Sequence, residues 1–196
     1  MDERIRKMGK IMGLRHTLTA ALAVLLFAVA PVQGELSIRL PLPEQLKKEA
    51  LPHFSVRDRN GQNLLQRRHM ERMIQPQVKR IALVFFATWC MPCAKGATML
   101  RNARVELAKN GVQPIFVNVG ENDIGTIHKW IGQYGDPAAP LVLDSRSQMA
   151  GAFGLLEKNG SIIMPQILVL DARFRPLFLL GTEGSDFPRI LWELNP

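Results

Sequence analysis

The sequence predicts an α/β domain built on a mixed sheet with helices on both faces. Three observations support this prediction. Strand and helix patterns alternate along most of the chain, and the run at 81–87 is continuously apolar, which is typical of a central strand. The last two strand patterns are separated by only a short turn, which indicates a closing hairpin. With 196 residues, 47% of them hydrophobic and 21% charged, the composition excludes wholesale disorder, a collagen-like repeat and a large multidomain assembly.

Residues 1–34 have the layout of a secretory signal: a basic head, an uncharged apolar run and then small residues. The strongly apolar part, residues 20–30, is short against the roughly 20 residues of a bilayer span. We expect either a signal peptide cleaved after Gly34 or an uncleaved membrane anchor. No cysteine follows the apolar run, which argues against a lipoprotein anchor. Both alternatives place the rest of the chain outside the cytoplasm, in the periplasm or on the outer face of the inner membrane.

The basic charge of the chain is concentrated at its beginning. The formal net charge is +8 and the pI is about 10.0. Residues 35–196 alone carry 20 basic and 15 acidic residues, a mild net charge of +5. Their densest basic cluster, around Arg67 to Arg72, alternates with other residue types on a predicted helix and suits a solvated helix face. We therefore expect no nucleic-acid partner, which would need a longer basic stripe with aromatic residues.

Each element follows from a local pattern. Residues 35–52 are interrupted by prolines and predict a lead-in with a short helix at 43–50, so the domain is expected to span 53–196. Strand patterns occupy 53–57, 81–87, 112–119, 141–143, 167–170 and 176–180. Helical patterns occupy 64–74, 93–110, 121–134, 145–153 and a last segment that starts at 185 or 186 and ends at 194. Asn60-Gly61 marks a tight turn.

The two cysteines of the chain, Cys90 and Cys93, lie where the apolar strand ends and a helix begins. Free N–H groups and the helix dipole favour negative charge there, so Cys90 is placed to be a stabilised thiolate, which is the attacking species. Two intervening residues let Cys93 reach Cys90 across one helical turn and resolve a mixed disulfide. Pro92 fits the first helical turn, where its missing N–H costs nothing.

Other uses of the two cysteines are less well supported. A zinc site needs about four ligands, and the histidines at 53, 69 and 128 have no ligand spacing. A purely structural disulfide would close a very small loop and stabilise little. The chain has no nucleotide or metal motif, so the sequence predicts a self-contained dithiol site with no metal and no cofactor.

The segment VFFATWCMPC, residues 84–93, resembles the active-site segment of the extracytoplasmic TlpA/ResA-like thiol-disulfide oxidoreductases. The resemblance covers most of residues 53–195. It extends to segments 54–58, 60–61, 117–120, 152–155 and 164–171. It implies a thioredoxin-like fold, with a central mixed sheet flanked by helices, an N-terminal β-hairpin extension and a central insertion at 121–144.

The resemblance also implies a site and a function. Pro165 would be a cis proline that faces the cysteines, and the backbone of Met164 would pair with a bound substrate. Trp89 and Met91 are expected to be exposed and, with Pro92, to contact substrate. The implied activity is reduction of protein disulfides, with Cys90 as nucleophile and Cys93 as resolving cysteine. The implied context is a membrane thiol electron donor, a possible membrane tether and a pathway such as cytochrome c maturation.

Several residues depart from the family pattern. The carboxylates found in relatives at the positions of Val84 and Gly96 are absent. Thr98 replaces a helix proline, so this helix need not kink, and Phe86 replaces a tryptophan. Glu157, in an inserted stretch, is a candidate substitute carboxylate, but we expect it to be exposed. The reduction potential, the direction of electron flow and the substrate therefore stay open.

Two alternative functions share the same fold. A thiol peroxidase would place a threonine three residues before the cysteine, whereas Thr88 lies two residues before Cys90, and Leu83 stands where proline is wanted. A binding module or copper chaperone would exploit the affinity of Cu(I) for thiolates, but its relatives use a wider cysteine spacing and a distant histidine.

Overall fold

The computed structural model describes residues 39–47, 54–65, 67–181 and 187–194. The chain divides into two units, Met1–Val32 and Gln33–Pro196, and the described residues belong to the second. The predicted signal or anchor at 1–34 therefore lies outside the described residues. Within the described part of the chain, no helix is long and apolar enough to cross a membrane.

One mixed sheet runs through the described residues, with strand order β1-β8-β7-β4-β5-β6-β2-β3. Strands β4, β5 and β6 are parallel to one another, and the other pairings are antiparallel. The strands are β1 (Arg39–Leu40), β2 (Ser55–Asp58), β3 (Asn63–Leu65), β4 (Arg80–Phe86), β5 (Val112–Val119), β6 (Leu141–Asp144), β7 (Gln166–Asp171) and β8 (Pro176–Gly181).

Helices cover both faces of the sheet. They are α1 (Arg67–Met73), α2 (Met91–Asn102), α3 (Arg104–Lys109), α4 (Ile124–Gln133), α5 (Gln148–Ala152) and α6 (Phe187–Glu193), and a 3₁₀ turn lies at Glu44–Leu46. Buried side chains of α2, α3, α4 and α6 pack in one core layer, and those of α1, α5 and the 3₁₀ turn pack in the other. The predicted α/β sandwich with a mixed sheet is confirmed.

Strand β4 separates the two core layers because successive side chains point to opposite faces. Val84 and Phe86 face the layer that contains α2 and α4, and Phe85 faces the other layer. The Phe86 ring stacks on Trp130 of α4 with ring centroids 4.3 Å apart. This aromatic contact holds α4 against the end of β4, where the cysteines follow.

The helix predicted at 93–110 is two helices, α2 and α3, separated at Ala103. The backbone of Ala103, at φ −87° and ψ 6°, has left the helical region. The interruption does not come from Thr98, whose hydroxyl donates to the Ala94 carbonyl one turn earlier at 2.9 Å. Buried residues lie on both sides of the break, Leu100 before it and Leu107 after it, so the apolar spacing did not reveal it.

Strand pairing changes two further assignments. Leu64 and Leu65, expected at the start of a helix, belong to β3 and pair with β2, so α1 begins only at Arg67. In the predicted lead-in, Arg39 pairs with Leu180 of β8, and Leu46 is buried in the core. Part of the lead-in thus packs as an edge of the same sheet, and its residues 48–52 lie outside the described residues.

The packing of the lead-in yields a stability prediction. Gly154 has φ +70°, and a Cβ there would meet the Gln45 side chain and lie 3.0 Å from Pro43 Cβ. Gly160 has φ +80° but open space around its Cβ position. Gly160→Ala is expected to lose about 1 kcal/mol of unfolding free energy through backbone strain alone. Gly154→Ala is expected to lose about 1 kcal/mol more of unfolding free energy, because the added Cβ would also clash with Pro43 and Gln45 of the lead-in.

Urea unfolding of the two alanine variants measures this difference. Equal losses in the two variants would show that residues 43–45 do not pack against Gly154.

Candidate active site

The two cysteines form a disulfide at the first turn of α2. Strand β4 ends at Phe86, and Cys90 is the N-cap residue of the helix that starts at Met91. The Cys93 N–H donates to Cys90 Sγ at 3.2 Å, and the two sulfur atoms are bonded to each other. The backbone at this turn thus supplies a donor to the sulfur of the first cysteine, as expected for a thiolate site at a helix N-terminus.

An exposed apolar surface lies beside the buried disulfide. Cys90 and Cys93 are 5% and 3% exposed, whereas Trp89 and Met91 are 70% and 73% exposed. Pro92 is also exposed. Single exposed apolar residues are common, but these three lie side by side around one cysteine, and such an exposed apolar patch suits contact with another molecule.

The Met164–Pro165 peptide bond is cis, as the resemblance implies. Strand β7 pairs antiparallel with β4, and Gln166 lies opposite Phe85. The same register places Pro165 beside the end of β4, one step from the segment that leads to Cys90. Met164 is half-buried and packs against both core layers, so its position relative to the disulfide is held from two sides.

The structure places no carboxylate at the two family positions named above. Val84 is 4% exposed in the core, and Gly96 is buried in α2. Glu157 is exposed, as expected, and its carboxylate accepts from the Ser161 hydroxyl at 3.0 Å. Glu157 therefore does not substitute for the missing carboxylates.

Glu121 is the carboxylate that the structure brings next to the cysteine loop, and it is not among the site residues predicted from the sequence. Its Oε2 accepts from the Thr88 N–H at 2.8 Å and from the Asn118 side-chain amide, and its Oε1 accepts from the Thr88 hydroxyl. Thr88 lies two residues before Cys90. Three donors thus converge on one carboxylate, which links the end of β5 to the loop that carries the cysteines.

A sequence signal for Glu121 existed. The residue follows β5 closely, and β5 is the parallel neighbour of β4. The carboxyl ends of parallel strands lie at one edge of a sheet, so polar residues after β5 lie near those after β4. The helix predicted at 121–134 takes Glu121 as its first residue, but α4 starts only at Ile124.

Asp144 ends the third parallel strand at the same edge. It is 1% exposed, and its Oδ2 accepts from the Ala150 N–H at 2.9 Å. Desolvation by burial raises the pKa of this carboxyl, although backbone donors from Gln148, Met149 and Ala150 oppose the rise. The Asp144 carboxylate thus binds the first turn of α5, whose N-cap residue is Ser147, and it thereby helps to position the loop that contains Ser145 and Arg146.

Chemically, the site can exchange two electrons through one disulfide. The site consists of a buried dithiol or disulfide, an exposed apolar rim and a neighbouring cis proline. Exchange between sulfur atoms needs no bound group. Among the described residues, no group of three or more His, Cys, Asp or Glu side chains is placed to hold a metal ion.

The fold and this site define a thioredoxin-like protein with a Cys-x-x-Cys disulfide. The family model described as "AhpC/TSA family" matches residues 48–174. Because the match covers more than half of the chain, the protein belongs to the AhpC/TSA family.

The relatives and solved structures agree with that assignment. The chain is 31% identical over 102 residues to the thiol-disulfide oxidoreductase ResA of Bacillus subtilis, covering 52% of this chain and 52% of that relative, so it spans about half the relative's length. A thiol:disulfide interchange protein of the thioredoxin family from Chlorobium tepidum matches with a TM-score of 0.53 and 22% identity, covering 71% and 91% of the two chains. The peroxidoxin BcpB of Mycobacterium tuberculosis also matches at 0.53, with 19% identity and 71% and 88% coverage. These structures show the shared fold.

The three donors on Glu121 predict a specific loss of stability. In Glu121→Gln, an NH₂ group replaces one acceptor oxygen and faces a donor, so we expect a loss of about 1–3 kcal/mol of unfolding free energy. The matched control is Glu157→Gln, whose exposed carboxylate has a single hydroxyl contact, with an expected change within about 0.5 kcal/mol. Denaturant unfolding of both variants measures the difference, and equal effects would contradict the role of Glu121.

Proposed function

We propose that this protein is a thiol-disulfide oxidoreductase that reduces disulfides in protein substrates through Cys90 and Cys93. The observation that carries the proposal is the disulfide at the first turn of α2, in which the first cysteine caps the helix and accepts from the Cys93 N–H. The resemblance to relatives named thiol-disulfide oxidoreductase supports the same activity.

The reaction has two exchange steps. In the reduced protein, the Cys90 thiolate attacks one sulfur of the substrate disulfide, which forms a mixed disulfide and releases one substrate thiolate. The Cys93 thiolate then attacks Cys90 Sγ, forms the Cys90–Cys93 disulfide and releases the second substrate thiolate. Two electrons pass from the protein dithiol to the substrate, and the released thiolates take up protons from water. The Cys90–Cys93 disulfide is the oxidised pair that this half-reaction would leave.

The substrate contacts are assigned to the residues around the disulfide. Trp89, Met91 and Pro92 offer exposed surface on one side of Cys90. Met164 and Pro165 lie beside the end of β4, where the backbone of Met164 would pair with an extended substrate segment. A polypeptide bound between these groups would present its disulfide to Cys90.

The cellular context is also a proposal. The signal-like layout of residues 1–34 supports a location outside the cytoplasm, either after cleavage or tethered by that segment. A reductant in that compartment must be re-reduced, so a membrane thiol donor would return two electrons to the Cys90–Cys93 disulfide. Cytochrome c maturation is one pathway that uses such a reductant.

A thiol peroxidase is the second candidate, because the family model and the peroxidoxin neighbour favour it. The site geometry favours disulfide exchange instead. The Thr88 hydroxyl, two residues before Cys90, donates to Glu121, and Cys90 is bonded to Cys93 within one helical turn. The copper-chaperone alternative rests on the two thiolates alone.

The division of labour between the cysteines is tested with single serine variants. Cys90→Ser is expected to abolish reduction of a peptide disulfide, because the attacking thiolate is gone. Cys93→Ser is expected to accumulate a mixed disulfide on Cys90, because nothing resolves it. Mass spectrometry of the trapped species and a turnover assay with dithiothreitol measure both outcomes.

A Cys90→Ser variant that is as active as the parent would overturn the proposal. Rapid turnover of hydrogen peroxide, or retention of one Cu(I) per chain against a competing chelator, would favour one of the alternatives.

The direction of electron flow is tested by the reduction potential of the Cys90–Cys93 pair. A reductant is expected to have a potential near or below that of thioredoxin, about −270 mV. Equilibration of the parent protein with glutathione or dithiothreitol buffers measures this potential. A potential near about −120 mV would instead indicate a disulfide donor.

A further inference from the structure

A polar cavity of about 410 Å³ lies outside the disulfide site, at the end of β6. Its lining includes two arginines, Arg57 and Arg146, together with Ser145, Asn122 and Gln148. None of the residues that line it is acidic. A cavity with two guanidinium groups, several neutral hydrogen-bonding groups and no carboxylate suits a bound anion.

The cavity lies at the same edge of the sheet as the cysteines. Strands β4, β5 and β6 run parallel, so their carboxyl ends meet at one edge. The cysteine loop follows β4, and Ser145 and Arg146 follow β6, two strands away. Adjacent strands lie about 4.8 Å apart, so β6 lies about 10 Å from β4 across the sheet. Arg57 is carried by β2, one strand further, but its guanidinium reaches back to Ser145 at the end of β6.

One wall of the cavity, which contains Arg57 and Leu143, lies on the same face of the sheet as α2, whereas Val56 and α5, which carries Gln148, belong to the other face. Leu143 of β6 packs in the core layer that contains α2 and α4. Arg57 of β2 lies directly opposite Leu143 in the antiparallel register, so its side chain leaves the sheet on that face. Asn122 joins the cavity from the segment before α4, next to Glu121, whose carboxylate binds the cysteine loop.

A hydrogen bond holds the Arg57 side chain at the cavity. Its Nη2 donates to Ser145 Oγ at 3.0 Å in a half-buried position. A neutral hydroxyl orients the guanidinium without neutralising its charge, and its other N–H groups can donate to a ligand. The planar fork of arginine matches the two oxygens of a carboxylate, and Arg146, which is exposed, adds a second positive charge.

We infer that this cavity binds a carboxylate side chain of the polypeptide substrate while Cys90 reacts with the substrate disulfide. The inference rests on the proposed function and adds a substrate class, namely proteins with Asp or Glu near the target cysteine. Because an extended chain advances about 3.3–3.6 Å per residue, a separation of about 10 Å places the acidic residue about three positions from the reacting cysteine.

The test compares two peptide disulfides that differ at one position. One peptide has Asp and the other Asn, three residues from the cysteine that Cys90 attacks. The full chain is expected to reduce the Asp peptide with a kcat/KM about three- to tenfold higher, and this preference is expected to shrink at high salt. In Arg57→Gln/Arg146→Gln the ratio of the two rates is expected to fall to about one.

Two further variants control for charge and folding. Arg173→Gln removes the same charge from the turn between β7 and β8, at the opposite edge of the sheet, and is expected to keep the preference. Arg146→Gln alone, at an exposed position, is expected to lower the preference partly, which covers the case in which the double variant does not fold.

Equal rates for the two peptides with the parent protein would overturn the inference, and so would a preference that survives in the folded double variant. Inorganic phosphate tests the other source of an anion: if phosphate binds in an Arg57-dependent way while the two peptides react equally, the cavity serves a free anion and not the substrate. Failure of the proposed function is a different result, because then the parent protein reduces neither peptide.

Discussion

The pairing of β4 with β5 on one side and with β7 on the other positions every part of the site. Because β4 is covered on both faces, its end is fixed by packing, and Cys90 follows at a defined point at the start of α2. Strand β7, the antiparallel neighbour, brings the cis peptide bond of Pro165 to the end of β4. Strand β5, the parallel neighbour, brings Glu121 there. Residues from three distant parts of the chain thus meet because three strands end or begin at one edge of the sheet.

Glu121, the carboxylate at this edge, makes different contacts from those expected of the two carboxylates that the family pattern implies. Positions 84 and 96 are apolar or lack a side chain, so no acid is buried behind the second cysteine at either position. Glu121 instead accepts three hydrogen bonds from Thr88 and Asn118. Its charge is therefore used to hold the loop before Cys90. A carboxylate with this role favours an ordered site.

Much of the fold was predictable because strong periodicity leaves few alternatives. The bounds of β5 are those predicted, and the bounds of β4, β7 and β8 differ by one residue at one or both ends, since continuous apolar runs suit strands covered on both faces. The errors have a common cause in interactions between distant segments. Leu64 and Leu65 have a helical pattern but pair with β2, and residues 39–40 look like linker but pair with β8. The break at Ala103 depends on the backbone angles of one small residue, and the periodicity of apolar side chains does not indicate those angles.

By itself, the sequence determined the α/β class, the central strand, and the two cysteines at a helix start with their resemblance to a thiol-disulfide family. Local patterns suffice for these because hydrophobic period, turn residues and cysteine spacing act over short stretches of chain. The tertiary structure was needed to show which carboxylate contacts the cysteine loop, and that Arg57 and Arg146 share a cavity at the same edge of the sheet as the disulfide. Those neighbours come from separate strands, and their proximity depends on strand order and register, which a single sequence does not encode in any local pattern.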